Sequence, residues 1–214
     1  MGRLIVIEGL DGAGKRTLAD GLTTAFTRAG ATVTGMAFPR YETSTEAKLI
    51  RDALYGELGG LGEEAYGMGI LYALDRHHAR EDLITALTTH DVLLLDRYVA
   101  SNAAYGAARK HEGAHGPFVE WVRATEIKRF GLPVPHAQLL LRVPPQLAAQ
   151  RSADRERTES TRPRDTWETD DNLQTRVGKV YDELAETHWL SPWHIIDGTT
   201  PTDLDTLATT LLAP

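Results

Sequence analysis

The chain has 214 residues, 42% of them hydrophobic and 25% charged, the balance of a single globular domain able to bury a large core. A formal net charge of −7 argues against a general nucleic-acid binder, and the lack of cysteine excludes disulfides and thiolate metal sites and fits a reducing, cytoplasmic setting. Apolar runs of about five residues fall far short of the ~20 that span a bilayer, so no membrane is expected. "MGRLIVIEG" enters a strand at once, which leaves no expected signal peptide.

"RLIVIE" (3–8) reads as a buried strand, apolar and β-branched. Leu18, Leu22 and Phe26 then share one helix face, closed by Gly30. "TVTGMAF" (32–38) is a second strand, stopped by Pro39. Ile50, Leu54 and Leu58 predict a helix broken by "GGLG" (59–62). Helices over 63–79 and 81–89 lead to a third strand, "DVLLLD" (91–96), and helices around 100–110 and 116–130 follow. "AQLLLRV" (137–143) is a fourth strand. Beyond 144–151 comes a polar, arginine-rich stretch, then a helix carrying Leu173, Val177, Val180, Tyr181 and Leu184 on one face. "WHIID" (193–197) is the fifth strand, and Thr200-Pro201 opens a last helix with Thr200 as N-cap. Strands alternating with helices imply one α/β domain over 1–214, a five-stranded parallel sheet with helices on both faces. Ligands in such sheets bind beyond the carboxyl ends of the strands.

"EGLDGAGKRT" (8–17) lies at such an end. Gly9, Gly14 and Lys15 match G-x-x-x-x-G-K between a strand and a helix, the context that makes this pattern a phosphate loop (9–17). Glycines let backbone N–H groups of Gly12, Ala13 and Gly14 curl round an anion, and the helix start adds positive potential. Lys15 would reach the β- and γ-phosphates. Arg16 displaces the usual hydroxyl by one position, so Thr17 supplies it and a metal is expected to be held elsewhere. Asp11 beside a polyphosphate is costly unless a metal, a cation or a substrate hydroxyl occupies it, although turn chemistry alone also explains an aspartate there.

Residues 8–17 fit the form E-G-x-D-G-x-G-K-x-T at every fixed position, and in this the chain resembles the thymidylate kinases. The resemblance extends over "FPRY" (38–41), "LYALDR" (71–76), "LLLDRYVASNAAY" (93–105) and a lid of about 151–165, most closely to the actinobacterial members. It implies a phosphate-loop nucleoside monophosphate kinase with an arginine-rich lid, converting dTMP and ATP to dTDP and ADP with Mg²⁺. A homodimer is implied by the resemblance only.

Individual residues carry this with different force. Asp96, after a buried strand, suits Mg²⁺ or its water, and Arg97 points over the same edge, although a strand-end ion pair reads equally well locally. Ser101, Asn102 and Tyr105 lie on adjacent turns of one helix, and an asparagine offers donor and acceptor to a base. The resemblance implies that Asn102 contacts thymine and that Tyr105 crowds the sugar 2′ position. It makes Tyr72 the base stacker and Arg76 the ring-oxygen contact. The resemblance also implies that Phe38, Arg40 and Tyr41 help form the monophosphate pocket, with Arg40 or Arg97 clamping the acceptor phosphate, although "FPRY" alone shows only where a strand ends.

The run of Arg151, Arg155, Arg157, Arg162 and Arg164 is dense for an acidic chain and suits a lid over transferring phosphates, with Arg155 and Arg162 as its catalytic cations. Asp165, Trp167 and Glu168 follow at the end of the lid, with Asp165 and Trp167 expected to contact substrate. The acids there complement a helix start or, by resemblance, approach substrate or metal, so Asp11, Asp96 and Glu168 are the metal candidates. His77 and His78 diverge on a helix and read as a solvated face, and Trp189 and Trp193 as packing. A kinase for another nucleotide loses ground because the loop, Asn102 and Tyr105 occur together. A guanine-nucleotide switch would carry an N-K-x-D segment, which this sequence lacks.

Overall fold

A computed structural model describes residues 1–158, 167 and 170–213, with all side chains except those of residues 155, 156, 158 and 171. Its five strands, β1 (Arg3–Glu8), β2 (Val33–Ala37), β3 (Val92–Asp96), β4 (Ala137–Arg142) and β5 (Trp193–Asp197), form one parallel sheet in the order β2-β3-β1-β4-β5. β1 lies at the centre, with Ile5 in register with Leu94 of β3 on one side and Ala137 of β4 on the other. A strand covered on both faces is apolar at consecutive positions, and Leu4, Ile5, Val6 and Ile7 are all buried.

The helices are α1 (Lys15–Arg28), α2 (Thr45–Leu54), α3 (Ala65–His78), α4 (Arg80–Thr89), α5 (Val99–Arg109), α6 (Pro117–Val122), α7 (Pro145–Thr158), α8 (Asp171–Glu186) and α9 (Leu204–Leu212). β1 is followed by a crossover toward β2, whereas its neighbour β3 is followed by one toward β4. The strand order therefore switches where the carboxyl ends of β1 and β3 lie side by side, which is where a crevice opens in such sheets.

Four local expectations are corrected. α2 ends at Leu54, and Leu58 falls outside it before a 3₁₀ turn over Gly59–Glu63. The segment expected as one helix over 116–130 is α6 followed by a π-helix, Arg123–Arg129, in which the Thr125 carbonyl accepts the Phe130 N–H five residues on. The start of the arginine-rich stretch is helical, as α7. The last helix is capped by Asp203, whose Oδ1 accepts the Thr206 N–H, and not by Thr200. Asp197 explains the difference: its carboxylate takes the Thr199 N–H and hydroxyl and its carbonyl takes the Thr200 N–H, closing 197–200 as a turn.

α5 is buried almost throughout, because it is clamped by α3, α6 and α8. Gly106 makes that possible: a Cβ there would lie 2.0 Å from Cε1 of the buried Phe118 ring on α6. Gly106→Ala should therefore destabilise the fold by about 1–3 kcal/mol through overpacking, read as a lower urea midpoint. An unchanged midpoint would mean that α6 yields without cost.

Candidate functional site

At the switch in strand order lies a cavity of about 530 Å³. The phosphate loop forms one end. Gly12 sits at φ 78°, and a Cβ on it would lie 2.1 Å from the Ala148 carbonyl oxygen of α7, so both its conformation and its neighbour require glycine. Gly14, at φ 99°, is the N-cap of α1 and supplies no side chain, and the first turn carries no acid. The free N–H groups of that helix start are thus left for an external anion.

Lys15 folds back on its own loop, donating to the Leu10 carbonyl at 2.9 Å and the Gly9 carbonyl at 3.2 Å. Burial, reinforced by the nearby Arg97 cation, brings its ammonium down to about 8.

Arg97 is the centre of the site. It follows β3 in the left-handed region at φ 66°, a conformation that costs a non-glycine residue about 1–3 kcal/mol. Its Nη2 donates to Asp11 Oδ1 at 2.6 Å and to the Tyr105 hydroxyl at 3.3 Å. Its Nη1 donates to the Ser101 hydroxyl at 3.1 Å. The Tyr105 hydroxyl in turn donates to Asp11 Oδ2 at 2.7 Å. Burial pushes the Asp11 carboxyl up, but Arg97, Lys15 and Tyr105 outweigh it and hold the group well below the usual carboxylate range. Both Asp11 oxygens are thus occupied, which answers the electrostatic problem of an acid in a phosphate loop with a cation.

Behind this pair lies Glu8, fully buried at the end of β1. It accepts from the Ser101 hydroxyl at 2.6 Å, the Tyr181 hydroxyl at 2.9 Å and the Tyr98 N–H at 2.9 Å. Burial raises its carboxyl despite these donors.

The far end of the cavity is aromatic and polar. Trp167 lies 5.8 Å from Tyr105, nearly parallel to it, and 6.0 Å from Tyr72. Its indole N–H is held by the Gly62 carbonyl at 2.9 Å. Arg76, 2% exposed, makes a two-pronged pair with Glu126, Nε to Oε2 at 2.5 Å and Nη2 to Oε1 at 2.9 Å. Asn102 donates from Nδ2 to Glu126 Oε1 at 2.7 Å and to the Gly69 carbonyl at 3.0 Å.

Of the residues expected from sequence, Asp11, Gly12, Gly14, Lys15, Arg16, Phe38, Tyr41, Tyr72, Arg76, Asp96, Arg97, Ser101, Asn102, Tyr105 and Trp167 line this one cavity. Ala13, Thr17 and Arg40 do not. Arg40 is turned onto Asp75, with Nε to Oδ1 at 2.9 Å and Nη2 to the Asp75 carbonyl at 2.8 Å, so it frames the Phe38 turn from behind. Arg162, Asp165 and Glu168, and the side chain of Arg155, lie outside the described residues. Asp96 brings an Oδ1 that is buried and has no hydrogen-bond partner among the described residues. Among the described residues no three acids or histidines gather as a metal cluster, and His77 and His78 instead stack on Phe130 and pair with Glu46 respectively.

Sequence reasoning missed Glu8, Asp75 and Glu126 as members of the site, whereas Arg151, expected in the lid, does line the cavity. Glu8 was visible as an acid closing an otherwise apolar strand. Asp75 adjoins Arg76. Glu126 gave no local signal, because its partners lie 24 and 50 residues away.

A family model described as thymidylate kinase matches residues 7–205. The chain belongs to the thymidylate kinase family. Thymidylate kinase of Mycobacterium tuberculosis (strain H37Rv) is 47% identical over 211 residues, covering 99% of this chain and 98% of the relative. That of Xanthomonas oryzae pv. oryzae (strain PXO99A) is 36% identical over 204 residues, 94% of this chain and 78% of the relative. The Arabidopsis thaliana thymidylate kinase is 29% identical over 189 residues, 88% and 63% respectively. As a thymidylate kinase this chain is a nucleoside monophosphate kinase that phosphorylates dTMP to dTDP, with ATP as the phosphoryl donor. Among the described residues no helix is long and apolar enough to cross a membrane.

Lys15 sets a pH dependence. Between about 8 and its ordinary value of 10.5 the unfolded chain binds more protons than the folded one, so the free protein gains stability as pH rises through that window. Phosphates at the site favour the charged ammonium, and ATP binding near pH 9 should then take up a proton. Calorimetric titration in two buffers of different ionisation enthalpy measures the uptake. Uptake that persists in Lys15→Met would assign it to another group.

Proposed function

We propose that the cavity binds the phosphates of ATP at the phosphate loop and dTMP between Phe38 and Trp167, with phosphoryl transfer occurring beside Lys15 and Arg97. The observation that carries this reading is continuity: the uncapped start of α1 and the pair Arg76–Asn102 line one and the same cavity. Lys15 would leave the Gly9 and Leu10 carbonyls for the β- and γ-phosphates. Arg97, held by Asp11, faces the acceptor phosphate. That phosphate attacks as an oxyanion already, so positioning and charge stabilisation carry the reaction and no strong general base is required. Arg16 and Arg151 line the same cavity, and Arg155 and Arg162 are assigned to the lid that completes the charge and excludes water.

Mg²⁺ fits the residues present. The unpartnered, buried Asp96 Oδ1 on the cavity wall is an oxygen in want of a cation, whereas both Asp11 oxygens are engaged. A single carboxylate suits a metal held largely by substrate phosphates and water. Bound there, Mg²⁺ would neutralise charge on the transferring phosphoryl group. Glu168 remains a second candidate ligand on sequence grounds. A cytoplasmic homodimer is the assembly that family membership favours.

At the base, Tyr72 and Trp167 supply the apolar walls and Arg76 and Asn102 the polar contacts. The Tyr105 ring, pinned by its hydroxyl to Asp11, is assigned to exclude a ribose 2′-hydroxyl. ADP formation dependent on added dTMP tests the reading. dTMP, dUMP, UMP and dCMP compared side by side should place dTMP first and UMP far behind dUMP. Equal kcat/KM for UMP and dUMP would remove Tyr105 from sugar selection. Lys15→Ala should lower kcat by ~10²-fold or more, the scale of a lost transition-state donor. A variant that keeps most of its turnover would place the phosphate site elsewhere.

A further inference from the structure

If Arg76 and Asn102 meet the base, their polarity must be fixed by the groups around them. An asparagine amide presents a donor on one branch and an acceptor on the other, and a half-turn about its last torsion exchanges them. An asparagine free to flip reads thymine and cytosine edges alike. Thymine offers an N3–H donor beside an O4 acceptor, whereas cytosine offers an N3 acceptor beside an N4–H donor. A site that prefers thymine needs an acceptor opposite N3 and a donor opposite O4.

The structure supplies the constraint in Glu126, which is fully buried in the π-helix Arg123–Arg129. Glu126 Oε1 lies 2.7 Å from Asn102 Nδ2, and the Gly69 carbonyl lies 3.0 Å from the same atom. A carboxylate paired with a guanidinium, and a backbone carbonyl, offer lone pairs and no protons. Only the NH₂ branch of Asn102 can face them, since the opposite orientation would set oxygen against two oxygens in a buried setting. The Asn102 carbonyl oxygen is thereby the branch left over, on a residue that lines the cavity.

The same carboxylate holds Arg76 through Nε and Nη2, which leaves Nη1 as the donor that Glu126 does not occupy. One acid thus sets both halves of an acceptor–donor pair. The interruption of the helix after Val122 has a matching local effect: the Thr125 carbonyl bonds Phe130, the Glu126 carbonyl bonds Leu132, and the Glu126 side chain reaches both α3 and α5. π-turns of this kind recur where a helix delivers a side chain to a functional site.

We infer that Glu126 is the positioning residue for base selection, locking Asn102 as an acceptor and Arg76 as a donor so that the cavity takes the thymine edge and rejects that of cytosine. The inference rests on the assignment of Arg76 and Asn102 to the base. Glutamine in place of Glu126 can donate to the Asn102 oxygen, which removes one of the two acceptors that oppose the flipped amide and leaves only the Gly69 carbonyl against it, and it removes the charge that anchors Arg76. Glu126→Gln should therefore raise KM for dTMP with a smaller change in kcat, and should lower the dTMP-to-dCMP ratio of kcat/KM by roughly tenfold or more, the worth of one buried hydrogen bond reversed. Glu126→Asp, which keeps the acceptor and the charge, should recover part of that ratio.

A folded Glu126→Gln protein with an unchanged ratio would overturn the inference, because a purely structural acid would shift Tm and leave base preference alone. Asn102→Ala separates the two levels. Loss of preference there with none in Glu126→Gln would refute the inference and keep the base assignment, whereas no loss in either would refute both. Should Glu126→Gln fail to fold, the wild-type protein still decides. The Nδ2 protons of Asn102 should exchange slowly by NMR before any dTMP is added, and exchange as fast as that of a solvent-exposed amide would overturn the inference.

Discussion

The ion pair between Arg97 and Asp11 is the constraint on which the site depends. It joins the residue after β3 to the loop after β1 across the crevice between the two strands. Without it, Asp11 would repel the phosphates that the rest of the loop is shaped to hold, and Arg97 would have no reason to hold its left-handed backbone conformation. With it, an acid among phosphate ligands becomes a support that aims a guanidinium. Ser101, Tyr105 and Tyr181 complete the coordination of Arg97, and two of them also touch Glu8 behind it. Four elements, β1, β3, α5 and α8, are thus registered against one cation.

A second buried pair, Arg76–Glu126, repeats this logic at the other end of the cavity. Buried ion pairs contribute little net stability, since desolvation offsets much of their attraction, and one partner left alone is costly. Their place here is better understood as geometric. Burial pushes the Arg76 guanidinium toward its neutral form, yet Glu126 more than reverses this and raises its affinity for its proton. A charge held this way cannot drift to solvent, so its free edge stays at the cavity wall. Tyr72, Tyr105 and Trp167 add walls of large area and few rotatable bonds.

The sheet, the phosphate loop and most cavity residues were legible in the sequence because each is written locally. Consecutive aliphatics mark buried strands, glycines before Lys15 mark the loop, and four-residue spacing links Tyr72 with Arg76 and Asn102 with its helix face. What escaped was written across distance. Glu8 looks like a strand's end until Tyr181 of α8 is brought to it. Arg40 looks like a substrate ligand until Asp75 takes its guanidinium. Glu126 has no neighbour in sequence that predicts its role. Thr200 failed as a helix cap for a similar reason, since Asp197 and Asp203 compete for the same short segment and win. Local pattern reports which residues can do chemistry. Long-range polar pairing decides which of them face the cavity.

The central place of β1 has a consequence for how the chain is made. The first strand of the sheet to leave the ribosome bonds to β3 and β4, whose residues begin at Val92 and Ala137, and not to β2, which comes next. At about 5–20 residues per second of synthesis, Leu4–Ile7 waits roughly 4–20 seconds for its first ladder partner. During that interval the most apolar stretch near the start of the chain has no sheet to enter. Its shelter must come from the helix it already has, α1, or from an outside binder of nascent chains, and β2 can settle only when β3 arrives to join the two. Enzymatic competence, which needs β1 and β3 edge to edge, is therefore a late event in the life of each new molecule.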